Sequence, residues 1–293
     1  MKIAICISGQ TRDWHDYPSK NLAYFISTLE AAGHEVDVVG HTWSHCIPPS
    51  EEHVKFKKLI IEDQVIIDDW VKKDWINRIT LNDELCDLFN YDPSDQDGFD
   101  MTTLEYDNLS DDHINKILQN CRAGYGQHVS GWKSFQLADD GYDIYLRWRW
   151  DLVFTKDNSN TSDDEYNLVI DYWAPYLIDI ITSFHSVSFS SAGNLNILFG
   201  NNTIIYHAYK ACVDDIFFGF SSLAKEKINA VDIFDAIDLC FHPMIGDNIK
   251  CLQMNRALYH TFWTWCMTDL IKMEGVCKLP GCVSMTYLES RFL

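Results

Sequence analysis

Two arginines and an aspartate alternate with bulky residues through residues 142–152, which read Tyr-Asp-Ile-Tyr-Leu-Arg-Trp-Arg-Trp-Asp-Leu. On a β-strand, successive side chains point to opposite faces. Arg147, Arg149 and Asp151 then share one face with Tyr145, while Ile144, Leu146, Trp148 and Trp150 share the other. Guanidinium groups suit bidentate contacts with phosphate. A carboxylate at a strand tip can hold a divalent cation that bridges a diphosphate. Ligands of open α/β sheets bind at the carboxyl ends of the strands, where these three side chains fall. The same pattern also suits an internal Arg–Asp ladder beneath a loop.

Three further clusters carry chemical potential. Ser8, Gly9, Gln10, Thr11 and Arg12 follow a short apolar run. Gly9 would let the backbone approach a ligand and Arg12 could reach a phosphate, or the segment is an ordinary turn with an exposed arginine. His41, Thr42 and Trp43 close a second apolar run; Trp43 could stack on a base or sugar, or pack in the core. Asp214 and Asp215 precede an apolar run, so on a strand only one of them faces a given site. That one could act as a base toward an acceptor hydroxyl; the other reading is a solvated loop end or helix cap.

These side chains need elements to place them. Residues 3–7 form an unbroken β-branched run that ends at Ser8-Gly9, as a buried parallel strand does. Helical spacing over 22–32 and a second strand over 36–39 complete a strand–helix–strand unit with a right-handed crossover. Residues 58–61 suit a strand and 65–79 a helix, whereas the acidic stretch 92–112 reads as loop and 114–118 as a short helix. A helix is expected over 124–138 and one long strand over 142–154. Short strands follow at 187–189, 197–199, 203–206 and 216–220, then helices at 224–239 and 254–271. The expectation is a single domain over 1–293, with an insertion at 45–123 and a helical C-terminal segment at 254–293. Its fold class is α/β, a mixed and mostly parallel Rossmann-like sheet flanked by helices.

The balance of 23 basic against 43 acidic residues gives a formal charge of −20. Such a field repels phosphate backbones, so no nucleic-acid partner is expected. It also repels a sugar phosphate, which a metal ion or local arginines must offset. Ten cysteines lie scattered without a CxxC pair, as suits small buried side chains in a reducing compartment. No apolar stretch reaches the roughly 18–20 residues of a membrane span, and the N-terminal run is too short for a signal peptide. A cytoplasmic protein is expected, in the host cytoplasm if viral.

Five motifs in order resemble a glycosyltransferase family of bacteria and tailed phages. Residues Lys2 to Arg12 fit its opening K-I-A-x-x-I/L-S-G-Q-x-R. Asp37-Val38 with His41-Thr42-Trp43 and then Tyr142-Asp143 with Arg147 to Leu152 follow, with a helix that begins near Gln127 between them. Asp214 with Gly219, and then His242-Pro243, complete the set, so the resemblance covers about residues 1–245. It implies a GT-A-like fold and a nucleoside-diphosphate sugar donor, with transfer to a saccharide or other acceptor hydroxyl. Ser8, Gly9, Gln10, Arg12, His41, Trp43, Arg147 and Arg149 would contact the donor. Asp151 and Asp214 would be catalytic, and Asp151 and His242 would hold a manganese or magnesium ion. Metal-dependent members of that fold show Asp-x-Asp at this strand end, whereas Arg149-Trp150-Asp151 supplies only the second carboxylate. The arginines could then replace the cation. Two other readings stand beside this one. A non-catalytic sugar-nucleotide-binding module fits the missing aspartate, and a sugar-phosphate nucleotidyltransferase would need a better phosphate loop than Gly9 to Arg12.

Overall fold

The computed structural model describes residues 1–70, 111–155, 188–191, 195–198, 203–209, 212–241, 262, 263, 266, 275–278 and 284–287. The β-branched run at the N-terminus forms β1 (Lys2–Ser8), buried from Ile3 onward. Helix α1 (Tyr17–Ala31) carries Pro18 in its first turn, where a missing N–H costs nothing, and buries Leu22, Phe25 and Leu29 at helical spacing. Gly33, at φ +86°, ends it. The chain then enters β2 (Glu35–Trp43), which pairs parallel with β1.

Next come β3 (Lys58–Glu62) and α2 (Val65–Trp70). After the undescribed stretch, a 27-residue helix α3 (Asp111–Leu137) leads to β4 (Ile144–Arg149) and β5 (Leu152–Thr155). The remaining strands are β6 (Ser188–Ser191), β7 (Leu195–Leu198), β8 (Thr203–Tyr209), β9 (Cys212–Ser221), β10 (Gly275–Lys278) and β11 (Ser284–Tyr287). Between β9 and β10 lie α4 (Ser222–Asn229) and α5 (Ile233–Phe241).

Seven strands form the main sheet in the order β10-β8-β9-β4-β1-β2-β3. Among the described strands of this sheet only β9 runs against the rest, antiparallel to both β4 and β8. The protein is therefore a mixed α/β fold with a mostly parallel sheet. The chain moves outward from β1 to β2 and β3, then returns to place β4 on the other side of β1. That reversal between β1 and β4 is the topological switch point, where the loops part and leave a crevice.

Helix α1 covers one face. Ile3, Ile5, Ile7, Ile144, Leu146 and Trp148 all point into a core shared with Leu22, Phe25 and Leu29. Helix α3 crosses the other face over β1 and β2. The period-two reading of 142–149 thus holds, with Trp148 sealed beneath Phe25 at 5.2 Å between ring centroids.

Four expectations need correction. The long strand over 142–154 breaks at Trp150–Asp151, because β5 leaves the main sheet to pair with β11. The expected loop and short helix before residue 124 give way, from Asp111, to a single helix that tertiary contacts with α2 and the sheet support. The helix over 224–239 is two, divided at 230–232. The C-terminal segment is not wholly helical: Phe262 and Trp263 are helical, but 275–278 and 284–287 are strands that find partners in β8 and β5. The remainder of 65–79 and residues 92–110 lie outside the described residues.

Candidate functional site

A cavity of about 270 Å³ opens at the switch point. Its floor is the turn after β1, formed by Gly9, Gln10 and Arg12, flanked by Trp43 from the end of β2 and Arg149 from the end of β4. Its roof is α3, through Arg122, Gly126 and Gln127, with Gln64 from the start of α2. Among the described residues, every charged side chain lining it is an arginine, although the whole chain is strongly acidic.

Carboxylates set behind the cavity hold these guanidiniums. Asp151 is 2% exposed. Its Oδ1 accepts from Arg149 Nε at 2.8 Å, and its Oδ2 accepts from Arg149 Nη2 at 2.7 Å and Arg12 Nη1 at 3.0 Å. The two-residue step from Arg149 to Asp151 lets one side chain fold back onto the other across the turn. Arg12 adopts φ +25°, a sparsely populated conformation for a residue with a side chain. The Thr11 hydroxyl bond to the Ile47 carbonyl (2.6 Å) and the Asp151 pair fix it there. On the roof, Arg122 donates through Nε to Asp68 Oδ1 at 2.7 Å and through Nη2 to the second oxygen. This fork joins α3 to α2 and raises the Arg122 pKa.

A buried relay supports the floor. Gly9, at φ +106°, donates its N–H to Ser130 Oγ at 2.9 Å and accepts from the Thr42 hydroxyl at 2.9 Å. Ser130 Oγ lies 2.8 Å from His41 Nδ1, and His41 Nε2 lies 2.8 Å from Glu62 Oε1. Burial pushes Glu62 up, but hydrogen bonds from His41 and Lys133 outweigh it and hold the carboxyl at about 2. An ionised Glu62 only accepts, which assigns the imidazole proton to Nε2. Nδ1 is then the acceptor for the Ser130 hydroxyl. Burial lowers the His41 pKa and favours this neutral form.

The expected site residues divide accordingly. Gly9, Gln10, Arg12, Trp43 and Arg149 meet at the cavity. Arg147 shares the face of Arg149, as the alternation requires, but it is fully buried. It donates to the Ser8 hydroxyl and to the Trp148 carbonyl beneath α3, so neither Arg147 nor Ser8 lines the cavity. The expectation of two arginines aimed from one strand is corrected: α3 covers the inner one, and Arg122 stands in its place. The Gly9 N–H serves Ser130, so the glycine contributes its turn and no donor. Trp43 is a wall more than a stacking platform, because it is buried and donates its indole N–H to the Gly126 carbonyl at 3.2 Å. His41 supports the floor from behind. Asp151 organises arginines and presents no open oxygen edge.

Asp214 lies on β9, whose register sets Phe217 opposite Trp148. Residues before Phe217 thus extend past the carboxyl end of β4, the same edge of the sheet as the cavity. The Asp214 side chain and His242 lie outside the described residues. Sequence reasoning missed Arg122, Gln64 and the supporting pair Ser130 and Glu62. Arg122, Gly126 and Ser130 recur at i, i+4, a one-face signal that an earlier start for the helix would have exposed. Comparison with protein-family models, curated proteins and solved structures gives no match.

Proposed function

We propose that the protein is a glycosyltransferase with a GT-A-like fold that takes its sugar from a nucleoside-diphosphate donor. The observation that carries this reading is a cavity at the switch point of a mostly parallel sheet whose charged lining, among the described residues, is all arginine. Guanidinium forks match the oxygens of a diphosphate, and the Gln10, Gln64 and Gln127 amides suit ribose or base hydroxyl and carbonyl groups. The cavity volume falls just below the roughly 300–1,000 Å³ usual for small-molecule sites, enough for a diphosphate with part of its nucleoside.

In the transfer step, an acceptor hydroxyl oxygen bonds to the anomeric carbon. The bond from that carbon to the diphosphate oxygen breaks, and its electron pair leaves with the nucleoside diphosphate. Asp214, at the same sheet edge, takes the hydroxyl proton. The arginines stabilise the charge that develops on the leaving diphosphate.

The test is release of free nucleotide from a panel of UDP- and GDP-sugars with saccharide acceptors. Asp214→Asn is expected to cut turnover by about 10²–10⁴-fold, the usual worth of a positioned base, with donor affinity unchanged. No nucleotide release from any donor would sink the reading. One observation favours a non-catalytic sugar-nucleotide-binding module instead: Asp151 is committed to two arginines, and no carboxylate lines the cavity among the described residues. Binding without turnover would select that module.

A further inference from the structure

Divalent cations in nucleotide sites need open carboxylate oxygens, and magnesium demands them at about 2.0–2.1 Å in near-octahedral geometry. Asp151 does not fit that requirement. Both of its oxygens accept from guanidinium groups, one of them from two, and its side chain is almost wholly enclosed. A cation bound there would displace those donors and sit against two fixed positive charges. Nor do other ligands converge: among the described residues, no group of three His, Cys, Asp or Glu side chains is placed to hold a metal.

The guanidiniums themselves are well placed to meet an anion. Arg12 uses two of its five N–H donors, toward Asp151 and Gln10, and Arg122 uses two, toward Asp68. Their remaining donors have no partner among the described residues. Both side chains are partly open, at 36% and 44% exposure, on the floor and roof of one cavity. Asp151 and Asp68 fix the orientation of the forks through hydrogen bonds, while Asp13 and Asp63 attract Arg12 and Arg122 without one. That arrangement is preorganised for an oxyanion.

We infer that Arg12, Arg122 and Arg149 bind the diphosphate directly, so that this site holds a nucleoside diphosphate without a divalent metal. The inference rests on the transferase reading for the identity of the ligand, while the oxyanion contact is testable by itself.

The experiment is titration calorimetry on the full chain with inorganic pyrophosphate and UDP as probes, in EDTA and then in manganese or magnesium. Both probes are expected to bind in EDTA, with added metal changing Kd by less than about threefold. Arg122→Ala should weaken pyrophosphate about tenfold, the worth of one charge-assisted contact. Asp68→Asn breaks the same helix-to-helix pair but removes a neutralising charge, so it should tighten pyrophosphate by about two- to threefold. If both substitutions weaken binding equally, Arg122 only ties α2 to α3 and the inference fails. Binding that needs metal, or no pyrophosphate binding under either condition, also overturns it. Turnover of a sugar nucleotide that requires manganese defeats the inference and leaves the transferase standing. Pyrophosphate bound in EDTA, with no sugar nucleotide ever turned over, does the reverse.

Discussion

His41 shows how a single side chain's meaning changes once its neighbours are known. Its position at a strand end suggests contact with a ligand, yet it is buried between Ser130 and Glu62 and steadies Gly9 from behind. The cost of burying its charged form lowers its pKa below the ordinary 6.5. A base whose folded pKa is depressed binds fewer protons folded than unfolded, so its contribution to stability is complete above about pH 6.5 and is lost as pH falls through the folded value. Glu62 acts in the same direction at lower pH, with its contribution lost between 4.5 and about 2. Unfolding free energies of the protein and of His41→Asn, measured from pH 8 to pH 5, should therefore converge as pH falls. A pH-independent difference would show that His41 does not bury its neutral form.

Elements decide which residues of a good motif are used. Strand β4 delivers its alternation faithfully, but α3 lies across it and closes Arg147 into the interior, with Arg147 Nε 3.3 Å from where a side chain on Gly131 would begin. The break after Arg149 then turns Asp151 back toward its own strand. On the opposite face Trp148 belongs wholly to the core under α1. Trp148→Ala should cost about 3–5 kcal/mol, as for other buried aromatics cut to alanine, read from urea unfolding. A loss below about 1 kcal/mol would mean that β4 and α1 do not pack as described. Gly126 marks a tight approach on the roof, since a Cβ there would stand 2.6 Å from the Gln64 amide.

At the scale of the whole molecule, a cavity whose charged lining among the described residues is arginine is set in a protein of formal charge −20. A polyanionic ligand therefore meets repulsion at long range and attraction only at the site. The Debye length shrinks from about 30 Å at 0.01 M salt to about 8 Å at 0.15 M, which screens the first far more than the second. The association rate of UDP should thus rise with salt over that range, by about two- to fivefold. Stopped-flow tryptophan fluorescence would measure it. A rate that falls with salt would show that the arginine field reaches well beyond the cavity.

The sequence alone determined the β1–α1–β2 unit, the two faces of β4, and Gly9, Gln10, Arg12, Trp43 and Arg149 as cavity-lining candidates. Those follow from local rules, because periodicity and turn residues act over a few positions. It did not determine that Arg122 joins them, that Arg147 is sealed away, or that Asp151 is enclosed by two guanidiniums. Each of those outcomes depends on where α3 crosses the sheet and where the chain leaves β4. Such placements depend on contacts between residues far apart in the chain, such as Arg122 with Asp68 and Arg12 with Asp151, which no local pattern encodes.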